Sequence, residues 1–384
     1  PPLPPRVRPL GSHRGSVSTA RHPPRSSQHP PAPPAPATKR CAHVNPAMTP
    51  GGRALLALAA LGVVAAGGSQ SLPRLDIEGD VLVAGLSSGA FFAVQVHTAF
   101  SEGVGGAMIF AGGPFLCAEG SLAIAEEVCM DASPAPSGTV CAQRARWAYD
   151  SGFIDSTSNL EDDRVYVFSG ALDTVVSPAT AGEALIDYYS TLGAYVSQEL
   201  GIQAEHEQPT EAYGNPCSEL GSPYLGACAY PGALRGAQAV LGSAHASATA
   251  AVNASYASFD QTLYGDVLTS SLGDEGLIYV PQACTRGPCR LLVVFHGCEQ
   301  TVDDIGYEYA YQSGFSDVAE GSGLVVLYPY ARRDSATGNP NGCWDWWGYS
   351  SKVLYAYQGG PQPLFFKSIV EAVAGEGYLS GRRA

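Results

Sequence analysis

Residues 85–89 read Gly-Leu-Ser-Ser-Gly, which places Ser87 at the centre of a G-x-S-x-G pattern. A serine so placed is a candidate nucleophile for acyl transfer. It needs a sharp turn from strand to helix, and a glycine on either side lets the backbone make that turn without a Cβ clash. The helix that follows aims its first N–H groups at the reaction centre, so Ser88 N–H offers one oxyanion donor. The competing reading is a plain Gly/Ser turn. The flanking strand and helix signals favour the catalytic one.

A serine nucleophile needs a histidine base oriented by a carboxylate. In the order serine, acid, histidine, the acid follows a later strand. Asp173 fits, in the loop after the apolar run 165–169 (VYVFS), although 35 acidic residues leave it many rivals. Eight histidines limit the base. His13, His22, His29 and His43 lie near the N-terminus, His97 on the helix after the nucleophile, and His245 on an Ala-rich helix. His296 belongs to a His-Gly pair. That leaves His206, in the loop 204–210 (AEHEQPT), as the base.

The apolar run 291–295 (LLVVF) leads into His296-Gly297-Cys298. A buried strand ending in His-Gly builds the second oxyanion donor in α/β-hydrolases, which would make Cys298 N–H the partner of Ser88 N–H. There the strand precedes the nucleophile; here it follows the whole triad. Either the pair is a coincidence or the fold is circularly permuted, which closely spaced domain termini permit. Residues 339–349 (NPNGCWDWWGY) hold three of the four tryptophans. Trp344, Trp346 and Trp347 are candidates for an apolar substrate slot, with core packing as the alternative. A Cys298–Cys343 link would pin that segment against the site.

Strands and helices must position these groups. Strands are predicted at 80–84, 107–110, 165–169, 277–280, 291–295 and 324–328, and helices at 90–100, 180–191 and 232–245. The continuous β-branched runs 291–295 and 324–328 (LVVLY) mark strands buried on both faces. Strands alternating with helices predict an α/β fold: a mainly parallel sheet with helices on both faces, in one domain.

Composition sets the compartment and excludes several classes. The chain has 384 residues, 21 basic against 35 acidic, for a net charge of −14. That argues against nucleic acid as a partner. A mean hydropathy of +0.01 is too polar for several membrane spans. Residues 1–47 hold 13 of the 29 prolines and seven basic residues with no acidic one. They read as a disordered or untranslated extension, or else as a targeting segment. Without them, 14 basic residues face 35 acidic ones, a net charge of −21. Met48 opens a new pattern: Arg53, then the apolar run 54–66, then small residues. Residues 48–71 read as a signal peptide, leaving 72–384 as the catalytic domain of a secreted protein. Secretion suits the ten cysteines. Cys117/Cys129, Cys217/Cys228 and Cys284/Cys289 are close pairs and Cys298/Cys343 a longer one, but spacing alone does not set connectivity. Cys41 and Cys141 are left over. Residues 253–255 (NAS) form a glycosylation sequon at Asn253. No metal or organic cofactor is implied, and a monomer is expected.

The motifs resemble one family: extracellular poly(3-hydroxybutyrate) depolymerases of the single-domain, circularly permuted fungal type. The resemblance runs through GLSSGAF (85–91), FAGGPFLC (110–117), SGALDTVV (169–176), HEQPT (206–210), LIYVPQAC (277–284), FHGCEQ (295–300) and NPNGCWDW (339–346), over about residues 75–350. It implies a circularly permuted α/β-hydrolase fold. It implies Ser87, Asp173 and His206 as the triad and the Ser88 and Cys298 amides as the oxyanion hole. It also implies four disulfides, Cys117–Cys129, Cys217–Cys228, Cys284–Cys289 and Cys298–Cys343. The implied activity is cleavage of ester bonds in solid or oligomeric polyhydroxyalkanoate. Ala90 stands where the family has Gly, and Phe91 where Tyr is expected. Both changes border the substrate slot, so they bear on specificity more than on hydrolysis. Two rivals remain: a secreted carboxylesterase of feruloyl or acetylxylan type, and a non-catalytic binding protein on the same fold.

Overall fold

A computed structural model describes residues 70–380. The extension at 1–47, the signal segment up to residue 69 and Cys41 lie outside the described residues.

The centre of the sheet forms from apolar runs. Val81–Leu86 (β1) is buried along its whole length. Val104–Phe110 (β2), Arg164–Phe168 (β3) and Tyr195–Glu199 (β4) follow, each parallel to its neighbour. Three short strands, Gln208–Thr210 (β5), Asn215–Pro216 (β6) and Leu225–Ala227 (β7), make a small separate sheet. The chain then returns to the main sheet through Tyr256–Asp260 (β8), Glu275–Tyr279 (β9), Arg290–Phe295 (β10) and Leu324–Tyr328 (β11). The order across the eight-stranded sheet is β4-β3-β2-β1-β10-β11-β9-β8. Strands β8 and β9 run antiparallel at one edge, so the sheet is mixed but mainly parallel. Burial on both faces explains why β1, β10 and β11 are continuous apolar runs rather than alternating ones.

Helices cover both faces. Ser88–Ala99 (α1), Gly138–Asp150 (α2), Leu185–Thr191 (α3) and Pro361–Ala374 (α6) pack with Val81, Val83, Leu291 and Val293. Gly232–Leu241 (α4) and Phe315–Ser322 (α5) pack on the other face, with Leu82, Ala84, Leu292 and Val294. Successive residues of one strand point to opposite faces, so one strand feeds both cores.

Several boundaries differ from expectation. The segment 180–191 is not one regular helix: a π-helical turn, Ala179–Ala184, precedes α3. Helix α4 stops at Leu241 because Gly242 takes φ 88°, a left-handed value that suits glycine. Helices α2, α5 and α6 and strands β4 to β8 are not among the predicted elements.

The expected disulfides are present: Cys117–Cys129, Cys217–Cys228, Cys284–Cys289 and Cys298–Cys343. Their number fits an oxidising compartment. Cys141 is a free buried thiol, and burial pushes its pKa up to about 11. No helix among the described residues is long and apolar enough to cross a membrane.

Candidate active site

Strand β1 hands over to α1 at Ser87, which adopts φ 56° and ψ −122°. A non-glycine residue rarely holds such a conformation, and the cost is of order 1–3 kcal/mol. Local packing enforces it. A Cβ at residue 85 would lie 2.4 Å from the Gly89 carbonyl carbon. A Cβ at residue 89 would lie 2.3 Å from the His296 carbonyl oxygen and 2.4 Å from that of Phe295. Both glycines are therefore steric requirements, and the first turn of α1 rests directly on the end of β10. Ser87 N–H donates to Phe110 O at 2.9 Å, which ties the turn to β2.

The loop after β3 carries Asp173, and the segment leading into β5 carries His206. They meet: Asp173 Oδ2 lies 2.8 Å from His206 Nδ1. Asp173 Oδ1 accepts from Val175 N–H at 2.9 Å and Val176 N–H at 2.8 Å, so both carboxylate oxygens are engaged. Both side chains are buried. The contact orients the imidazole with Nδ1 committed to the carboxylate, as a base with a working Nε2 requires.

Ser87 and His206 line the same cavity, of about 250 Å³, together with Phe91, Cys298, Tyr224 and Trp346. Ser88 is buried, and its hydroxyl accepts from Trp344 N–H at 3.3 Å. Phe91 stacks on Trp346 with ring centroids 4.0 Å apart, making a flat apolar wall. Trp344 corrects expectation. It is fully buried, stacked on Phe92 and edge-on to Phe295, so it belongs to the core and not to the cavity. Trp347 is partly buried, packs edge-on against Trp346 and does not line the cavity. The tryptophan loop is held from beneath by Asp345. Its carboxylate accepts from the N–H groups of Gly348, Tyr349 and Ser350. Burial raises the Asp345 pKa.

Met130, Val175, Val176, Leu220, Tyr224 and Asn341 also line the cavity and escape sequence reasoning. They come from separate stretches of the chain, among them the end of a π-helical turn at Met130, with no shared period. Tyr224 donates to Glu299 Oε2 at 2.5 Å, and burial with that contact pushes its pKa up to about 12. His97 is buried, within hydrogen-bonding distance of Asp163 and Tyr189, and is not part of the cavity lining. His245 is exposed. Among the described residues, Glu207, Cys217 and Cys228 bring three donor atoms together, but both sulfurs are joined in the disulfide and are poor metal ligands in that state.

No protein-family model matches the chain. Known proteins do. Over 328 residues, 83% of this chain, it is 39% identical to a poly(3-hydroxybutyrate) depolymerase of Delftia acidovorans, of which it spans 64%. Over 313 residues, 77% of this chain, it is 33% identical to a polyhydroxybutyrate depolymerase of Talaromyces funiculosus, of which it spans 89%. The chain belongs to the polyhydroxybutyrate depolymerase family. The crystal structure of the family member from Penicillium funiculosum has a TM-score of 0.70 at 29% identity, covering 79% of this chain and 99% of that one. A serine-to-alanine PHB depolymerase complexed with an R3HB trimer has a TM-score of 0.69 at 28% identity, with the same coverage of 79% and 99%. The α/β fold with its mainly parallel mixed sheet is thus a depolymerase-family fold.

Proposed function

We propose that the chain is a secreted serine hydrolase that cleaves ester bonds of poly(3-hydroxybutyrate) and related short-chain polyhydroxyalkanoates. The carrying observation is the Asp173–His206 contact of 2.8 Å beside a cavity that also holds Ser87.

Ser87 Oγ attacks the ester carbonyl while His206 Nε2 takes its proton. The oxyanion accepts from the Ser88 and Cys298 N–H groups. His206 then gives the proton to the leaving alcohol, and the acyl group stays on Ser87. Water, deprotonated by His206, releases the 3-hydroxyacid and restores the serine. Asp173 holds the imidazole in the required tautomer and offsets its transient charge. The Phe91–Trp346 wall offers the chain's methyl and methylene groups a dry surface.

The same reading takes residues 72–384 as one catalytic domain, circularly permuted relative to other α/β-hydrolases. Strand order supports it. The nucleophile strand β1 comes first among the described strands yet sits mid-sheet, beside β10, whose His-Gly end follows the triad in sequence.

The test is clearing of a poly(3-hydroxybutyrate) suspension, beside a soluble short-chain aryl ester, with wild type and Ser87→Ala. Wild type should clear polymer, and the variant should lose about 10⁶ in kcat on both substrates. Hydrolysis of the soluble ester alone would redirect the assignment to a general carboxylesterase. A folded wild type inert on both would favour the non-catalytic rival.

A further inference from the structure

His296 lies at the end of β10, buried, between the rings of Tyr330 and Trp344 with centroids 5.1 Å and 5.8 Å away. It does not line the cavity. Both ring nitrogens are occupied. Ala331 N–H can only donate, and it reaches His296 Nε2 at 3.1 Å. Nε2 is therefore the bare nitrogen, and Nδ1 carries the proton. Nδ1 lies 2.6 Å from the carbonyl oxygen of Gly297, so Nδ1–H donates to it.

That carbonyl belongs to the same planar peptide group as Cys298 N–H. Fixing one end of the plane fixes the other. We infer that His296 is a positioning residue for the oxyanion hole: by holding Gly297 O it aims Cys298 N–H at the reaction centre. The inference rests on the hydrolase reading above, in which that amide is a donor.

Besides the Cys298–Cys343 disulfide, which holds the Cys298 side chain, no other hydrogen bond reaches the Gly297 carbonyl among the described residues. Gly297 is buried against the nucleophile, and a Cβ there would lie 3.3 Å from Ser87 Cβ. The preceding peptide is held separately, by Gly297 N–H donating to Gln300 Oε1 at 2.6 Å. Gln300 Nε2 in turn donates to Pro223 O at 2.8 Å. Without His296, Gly297 O would be a buried acceptor with no partner, and rotating the peptide to find one would turn Cys298 N–H away. Burial holds the ring neutral, lowering its pKa to about 4, so the arrangement persists across the pH range of ester hydrolysis. Neither nitrogen is free to move a proton in catalysis.

Two substitutions separate the ring's two contacts. In His296→Asn the side-chain NH₂ can occupy the Nδ1 place and still donate to Gly297 O. His296→Gln reaches only the Nε2 place and can accept from Ala331 N–H alone. Each is assayed on a soluble aryl ester and on its thionoester, whose sulfur accepts poorly from an oxyanion hole. The Gln variant should lose on the order of 10- to 100-fold in kcat on the ester, with KM nearly unchanged and the ester-to-thionoester ratio falling by a similar factor. The Asn variant should recover most of both, and the pH profile should keep its shape in each. Equal losses on the two substrates, or an Asn variant no better than Gln, would overturn the inference and leave the esterase intact. Should either variant fail to fold, nitrogen NMR of the native chain decides. A proton on Nδ1 of His296 supports the role, and one on Nε2 removes it. Ser87→Ala run alongside keeps the two readings apart. Ester turnover surviving in it would sink the hydrolase reading itself, and the inference with it.

Discussion

Glu205 and Thr174 join the loop of the acid to the loop of the base. Glu205 Oε2 accepts from Thr174 N–H at 3.1 Å, and the Thr174 hydroxyl reaches the same carboxylate at 3.1 Å. His206 N–H also donates to Glu205 Oε2, at 3.1 Å. One carboxylate thus spans the residue after Asp173 and the backbone of His206. Glu205→Ala should leave the fold intact and cost about 1–2 kcal/mol of stability, because the contacts are charge-assisted but partly exposed. It should lower kcat by about tenfold, through looser aim of the imidazole. Thr174→Val, which keeps the backbone donor, should cost less. Thermal unfolding beside kcat and KM on a soluble ester checks this. A Glu205→Ala enzyme with wild-type kcat would show that the Asp173–His206 contact holds itself.

The disulfides differ in what they protect. Cys298–Cys343 closes a loop with a sequence separation of 45 and anchors the proposed oxyanion amide to the tryptophan segment. Cys284–Cys289 has a separation of 5 and sits at the opposite end of β10. Chain entropy gives about 4 kcal/mol for the first and about 2 kcal/mol for the second. Replacing Cys298 and Cys343 together by Ser should lower both the unfolding midpoint and kcat. Replacing Cys284 and Cys289 should lower stability alone. The comparison is made below each variant's midpoint, and equal kcat losses from the two pairs would contradict it.

Much of the frame was legible because burial on two faces leaves a one-dimensional trace. The runs 291–295 and 324–328 became Arg290–Phe295 and Leu324–Tyr328 almost without change. Tyr195–Glu199 left no such trace. None of its residues is buried, and it is a strand because β3 offers it an edge. Helix α2 buries only five residues, and its weak apolar pattern carries little signal. In the site, Ser87 was readable because its turn demands glycines at fixed places. Asp173 and His206 were readable only through order and elimination, since loop closure brings them together. Met130, Leu220 and Tyr224 could not be found, because nothing local distinguishes a cavity wall from a loop.

The Phe91–Trp346 stack lines the cavity that also holds Ser87 and gives it an apolar wall. An aromatic pair of this kind is worth about 0.5–1.5 kcal/mol beyond its burial, and the wall is rigid before substrate arrives. Trp346→Ala should therefore raise KM for 3-hydroxybutyrate oligomers by about tenfold while changing kcat little. Kinetics on a dimer and trimer series would check it. A drop confined to kcat would mean that Trp346 shapes the reacting geometry instead of binding the chain.

Glu207 is buried beside the Cys217–Cys228 disulfide, one residue from His206, and its Oε2 has no hydrogen-bond partner. Burial raises its pKa to about 8, and the neighbouring charge of Glu205 adds to the shift. The folded state therefore holds a proton that the unfolded chain, near its ordinary value of 4.5, releases. The sign follows. Below about pH 4.5 both states are protonated and the contribution is fully present. As pH rises toward 8 it is lost, and above that both states are ionised and the loss is complete. Wild type should lose unfolding temperature over that window relative to Glu207→Gln, which stays neutral throughout. The measurement is the difference in midpoint between the two proteins from pH 5 to pH 9, in which other titrating groups cancel. A flat difference would show that Glu207 ionises normally in the folded protein. A difference that grows in favour of the glutamine variant up to about pH 8 and then levels off would show the buried proton directly.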